Sequence, residues 1–215
     1  MKKITTIFFI VTLLFINSCV DTKSRAKGVF MLVDTSGTYT AELKKAQAII
    51  NYLLGTLQPG DSFAVARIDT GSFSEKDIVS KVIFDGRPSR ANTQKRAFQE
   101  QIDKFMSNVK GSPYTDITGG ILQATEFINE TGAGEKFILI FSDLKEEIRE
   151  GYVRDIPLQV NEFTVIALNV TKLRSDNVDP REYMDRLEDW RKKIEAGGGK
   201  WKVINDLERL ERIFD

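Results

Sequence analysis

The sequence predicts an α/β fold: a doubly wound, mostly parallel sheet with one antiparallel edge strand and helices on both faces. Three observations carry that expectation. Uninterrupted apolar runs, "GVFMLVD" at 28–34, "FILIFSD" at 137–143 and "EFTVIALNV" at 162–170, read as strands buried on both faces. Amphipathic stretches with apolar residues at helical spacing separate them. Strands that alternate with helices imply right-handed crossovers and parallel pairing. A chain of 215 residues that is 41% hydrophobic suits one domain with a single core.

The elements follow in order. After the strand at 28–34, residues 39–57 form a helix, with Leu43, Ala46, Ile49, Ile50, Leu53, Leu54 and Leu57 on one stripe. The turn "QPGD" stops it. A strand over 62–68 comes next. Residues 77–84 alternate, with Ile78, Val82 and Phe84 near one register, as in a strand close to an edge. The intervening "DTGSFSE" is short enough for a hairpin-like link, so this pair is antiparallel. A long helix over 89–109 places Phe98, Ile102, Phe105 and Val109 on one side. The loop "KGSPYTDITGG" leads into a helix over 117–131. Beyond the strand at 137–142, residues 145–157 are charged and irregular. The strand at 162–170 precedes a helix over 180–196, which Gly197, Gly198 and Gly199 end. A short strand at 200–204 and a short amphipathic helix over 206–214 close the chain. There is no internal repeat and no sign of a second domain.

Composition excludes several chemistries. Lys+Arg and Asp+Glu are equal at 31 each, so no basic excess attracts nucleic acid. The chain has no His, which removes His general bases, Ser-His-Asp triads and His-ligated zinc.

The first residues, "MKKITTIFFIVTLLFINSC", place Lys2 and Lys3 before an apolar stretch over 4–16. That stretch is too short to span a bilayer and has the length of a signal-peptide core. Asn17 and Ser18 follow it and lead to Cys19, the single cysteine. The arrangement resembles a bacterial lipoprotein signal, with Asn17 where a small residue is usual. It implies a signal peptide over 1–18, a lipidated Cys19 with a polar tether over 19–27, and one domain over 28–215. The alternative is an ordinary secretory signal with an incidental Cys. On the lipoprotein reading the mature chain is anchored to a membrane of the bacterial cell envelope, facing the periplasm or the exterior.

A parallel sheet of this kind binds ligands at the carboxyl ends of its strands. Three polar loops fall there: Asp34, Ser36 and Thr38 in the first, Thr115 with Asp116 in the second, and Asp143 after Ser142 in the third. Every candidate donor is an oxygen, which suits a hard divalent cation, Mg2+ first and Mn2+ or Ca2+ after it. Three hydroxyls and two carboxylates do not make a closed cage. They leave coordination positions for water or for an incoming acidic group. The helix that follows Thr38 adds a positive dipole end, which favours an anionic visitor.

This pattern resembles the von Willebrand factor A domain family and its metal-ion-dependent adhesion site. That site has Asp-x-Ser-x-Ser in the first loop, here Asp34-Thr35-Ser36-Gly37-Thr38 with Thr in the last place. It has a Thr in the second loop, here Thr115 in "YTDITGGI", and an Asp in the third, here Asp143 in "FILIFSDL". Leu144 stands where many members carry Gly. The likeness runs over residues 28–214. It implies a Rossmann-like fold in which Ser36, Thr38 and Thr115 bind the ion directly, while Asp34 and Asp143 act through water. A protein partner's Asp or Glu then completes the octahedron, so the role implied is binding and not catalysis.

Other readings of the same residues stand beside this one. Asp34, Ser36 and Thr38 also suit a helix N-cap and turn. Asp34 in "DTSGT" also fits a phosphatase-like nucleophile, but that family wants a second Asp where Ser36 stands. A metal-free scaffold is a third possibility. The "DTGS" run at Asp69 matches the aspartic-protease tetrapeptide, yet no second copy exists to share the proton. A hairpin turn explains it as well. Tyr39, Tyr114 and Asp116 lie beside candidate ligands and are expected either to rim a contact surface or to pack the loops. The "EDWRKK" run reads as the solvated face of a helix, and Trp201 as packed against the sheet.

Overall fold

The computed structural model describes residues 24–37, 39–69 and 74–215. The proposed signal segment, Cys19, Thr38 and residues 70–72 of the "DTGS" run lie outside the described residues.

Six strands form one sheet in the order β3-β2-β1-β4-β5-β6. They are β1 (Lys27–Val33), β2 (Ser62–Arg67), β3 (Ile78–Ile83), β4 (Glu135–Phe141), β5 (Phe163–Leu168) and β6 (Lys200–Ile204). All neighbours pair in parallel except β2 and β3, which are antiparallel. Four helices are described: α1 (Leu43–Thr56), α2 (Pro88–Asn108), α3 (Ile117–Thr131) and α4 (Pro180–Ala196).

Strand β1 shows why its sequence is apolar without a break. Val29, Met31 and Val33 pack on one face with Leu53 of α1 and Phe98 of α2. Phe30 and Leu32 pack on the other with Ile121 of α3 and Ile194 of α4. Side chains alternate across a strand, so a strand covered on both faces has no polar position to spare. The edge strand β3 is only partly covered, and its alternation survives.

Helix boundaries follow their caps. α2 opens with Pro88, whose missing N–H costs nothing in a first turn. Asp116 caps α3 by accepting a hydrogen bond from Gly119 N at 2.8 Å. Gly120 lets the first turn of α3 approach β1: a Cβ there would meet Ile68 at 2.8 Å and Leu32 at 2.9 Å. The helix expected from residue 39 begins instead with a 3-10 turn at Thr40–Glu42. The helix expected over 206–214 is only a 3-10 turn at Leu210–Ile213. Nine residues are too few for propensity to sustain a helix. Leu207, Leu210, Ile213 and Phe214 nevertheless reach the core, and the Phe214 ring meets Phe137 edge-on at 5.1 Å. Trp201 packs against the opposite face of the sheet. In "EDWRKK", Trp190 turns inward while Glu188 and Arg191 pair at 2.5 Å on the outside.

Strands β1 and β4 lie side by side at the middle of the sheet. From β1 the chain passes through α1 to β2 on one side, and from β4 it passes to β5 on the other. Their carboxyl ends therefore form the topological switch point.

Candidate metal site

Val33 and Phe141 are the last paired residues of β1 and β4. One further bond, Asp34 N to Phe141 O at 2.9 Å, carries the ladder to the crevice. Asp34 is 1% exposed. Its Oδ1 accepts from Ser36 N at 2.8 Å, which closes a tight turn, and its Oδ2 accepts from Ser142 Oγ at 2.6 Å. Both loops thus fix the direction of one buried carboxylate.

The second loop is threaded between strand ends. Ser112 pairs with Ser36: Ser112 N donates to Thr35 O at 3.3 Å and Gly37 N donates to Ser112 O at 3.1 Å. Ser112 Oγ donates to Asp69 O at 2.6 Å, and Asp116 N donates to Ile68 O at 2.8 Å. Thr115, buried, exchanges both backbone bonds with Glu147 of the third loop at 2.8 and 2.9 Å. Three segments far apart in sequence therefore meet with their backbone groups satisfied.

In the third loop Asp143 is buried, and its Oδ1 accepts from Lys145 N at 2.9 Å. Leu144 adopts φ 66°, a left-handed conformation in which glycine would be unstrained. Its side chain is buried in the core, and its carbonyl accepts from Trp190 Nε1 at 3.0 Å. Arg186 Nε donates to Asp143 O at 2.8 Å. Helix α4 thus buttresses the loop from outside.

Burial, above all, pushes the Asp34 carboxyl above its usual range, and the nearby Asp69 adds to that. The bonds from Ser142 and Ser36 pull it back. Asp143 is also pushed up, first by burial and then by the charge of Asp34, against the pull of Lys145 N and Arg186. Two desolvated acids that repel one another are the arrangement a cation relieves. Among the described residues no group of three or more His, Cys, Asp or Glu side chains forms a metal cluster. The set here is two carboxylates with hydroxyls, a donor chemistry that fits Mg2+.

Asp34 and Asp143 follow the paired ends of β1 and β4, Ser36 is bridged to Ser112 of the second loop, Thr115 is paired with Glu147 of the third, and Thr38 lies outside the described residues. Tyr39 and Asp116 are placed inside and not on a rim. Tyr39 is 1% exposed, its hydroxyl bonded to Asn169 and its ring edge-on to Phe141 at 5.1 Å. Asp116 is buried, capping α3 and held by Arg154 at 2.6 Å. Tyr114 is half-buried. Sequence reasoning missed the supports. Ser142 carried a local signal, a hydroxyl at a strand end beside Asp143. Arg154 and Arg186 carried none, lying 38 and 43 residues from the groups they hold.

No protein-family model matches the chain, and no curated protein matches it in sequence. Solved structures do. A von Willebrand factor type A protein from Catenulispora acidiphila superposes with a TM-score of 0.55 at 17% identity, over 89% of this chain and 41% of that one. The conserved hypothetical protein BatB from Bacteroides thetaiotaomicron superposes with a TM-score of 0.50 at 13% identity, over 87% of this chain and 95% of that one. This chain spans less than half the length of the first. Identities this low speak to fold alone. The mostly parallel six-stranded sheet, with its antiparallel edge and helices on both faces, is the Rossmann-like fold of von Willebrand factor A domains.

Proposed function

We propose that this chain is an envelope lipoprotein, anchored through Cys19, whose domain over residues 28–215 binds a protein partner through a divalent cation. Asp34, Ser36, Thr38, Thr115 and Asp143 hold the ion, with Mg2+ the first choice and Mn2+ or Ca2+ the others. When bound, the ion supplies a Lewis-acid position for an Asp or Glu of the partner. The chain's own residues orient that position, and no bond of the partner is broken. The observation that supports the reading is two buried carboxylates, Asp34 and Asp143, directly after the paired ends of β1 and β4, with the loop of Thr115 bonded to the third loop beside them. The upward shifts of Asp34 and Asp143 are consistent with it, since burial, which is their main cause, disfavours two neighbouring carboxylate charges that a cation would offset. Ser36 stands where a phosphatase-like nucleophile would need a second Asp, which argues against that use of Asp34. Among the described residues no helix is long and apolar enough to cross a membrane.

A thermal melt of chelated protein with Mg2+ added tests the reading. A ligand selective for the native state raises the melting temperature, by about 2.7 kcal/mol of stability at a hundredfold excess over Kd. The rise is expected in the native chain and absent in Asp34→Ala. No rise in the native chain leaves the metal-free scaffold as the better account.

A further inference from the structure

A cavity of about 480 Å³ adjoins the proposed metal crevice, with Asp143 forming part of its wall. Its other walls are Lys145, Thr171, Lys172, Leu173, Arg174 and Ser175. Three cations and two hydroxyls thus face one hollow. The two walls are fixed to each other. Arg186 donates through Nε to Asp143 O at 2.8 Å and through Nη2 to Asp176 Oδ2 at 2.8 Å. Asp176 in turn accepts from Leu173 N at 2.7 Å, which sets the turn that carries Lys172 and Arg174. The Asp176 side chain is fully buried and that of Arg186 nearly so. A buried bidentate pair therefore holds an exposed basic turn against the third loop.

The cations of this turn are not held in ion pairs, although the charge of Lys172 acts on the buried Asp176. Among the described residues neither Lys172 nor Arg174 forms a salt bridge, although Lys172 lies 6.0 Å from the Tyr183 ring centroid. Lys145 pairs with Glu147 at 2.6 Å, but both side chains are about half exposed, and such a pair exchanges partners at little cost.

We infer that this hollow is an anion subsite, and that the partner's binding segment is an acidic peptide with two carboxylates close together, one for the metal position and one for Lys145, Lys172 and Arg174. The inference rests on the metal reading for its first carboxylate only. A single carboxylate gives the metal position no preference between acidic segments, whereas a second, read by side chains on an adjacent wall, does.

The test uses fluorescein-labelled synthetic octapeptides that carry either one Asp in a Gly-Ser background or two Asp residues one to four positions apart. Binding is read by anisotropy with Mg2+ and with chelator, for the native chain, K172E/R174E and D34A. The native chain is expected to bind the best diacidic peptide about tenfold more tightly than the monoacidic one. K172E/R174E is expected to lose that advantage and keep the Mg2+-induced rise in melting temperature, which shows that fold and metal site are intact. An advantage that survives the charge reversal overturns the inference, and so does the absence of any advantage in the native chain. A diacidic advantage that persists in chelator and in D34A, and vanishes in K172E/R174E, keeps the subsite and overturns the metal reading alone.

Discussion

Ser142 Oγ donates to Asp34 Oδ2 at 2.6 Å, tying the loop after β4 to the loop after β1 at the point where the sheet divides. The bond holds one of the two buried carboxylates of the crevice in a single orientation. Replacing Ser142 by Ala removes a donor from a buried charge. Urea unfolding of chelated protein is expected to show a loss of about 1–3 kcal/mol. On the metal reading, Mg2+ affinity is expected to fall about tenfold or more, since Asp34 loses its support.

Leu144 sets two effects against one another. Its φ of 66° favours glycine, which would recover about 1 kcal/mol. Its side chain is 1% exposed, and deleting a buried leucine costs about 2–5 kcal/mol. Packing wins, so Leu144→Gly is expected to lower stability by roughly 2–4 kcal/mol in denaturant unfolding. A gain would show that backbone strain dominates this loop.

The Asp116–Arg154 pair is buried, with side chains 3% and 14% exposed. Arg154→Met strands a buried carboxylate and is expected to cost about 3–5 kcal/mol. Asp116→Asn with Arg154→Met removes the charge as well. The double variant is expected to unfold at higher denaturant than Arg154→Met alone, and a double-mutant cycle gives the coupling.

The hydrogen bonds from Arg186, foremost, hold the Asp176 carboxyl below the usual carboxylate range. A depressed native value means that the folded chain binds this proton less readily than the unfolded chain. The resulting stability is fully present above the unfolded value of about 3.9 and is lost as pH falls through the native one. Unfolding free energies measured from about pH 5 downward are therefore expected to fall less steeply in Asp176→Asn than in the native chain.

What the sequence disclosed and what it hid follow from the range of each interaction. β1 and β4 were legible because burial on both faces leaves an unbroken apolar run. α3 and α4 were legible to their ends, since Asp116, Pro180 and the glycines after each helix act locally. The candidate ligand positions are short motifs at strand ends. Of the two expectations for the residues beside the candidate ligands, Tyr39 and Asp116 follow loop packing, drawn inward by partners 130 and 38 residues away, Asn169 and Arg154. The final helix shrank to one 3-10 turn because an apolar stripe can be buried without helical backbone, as Ile213 and Phe214 are.

Isothermal titration of the chelated chain with Mg2+ tests the central claim most directly. One ion per chain is expected to bind, with binding abolished in Asp34→Ala and in Thr115→Ala while both variants stay folded. No bound ion in the native chain, or equal binding in both variants, would contradict the account.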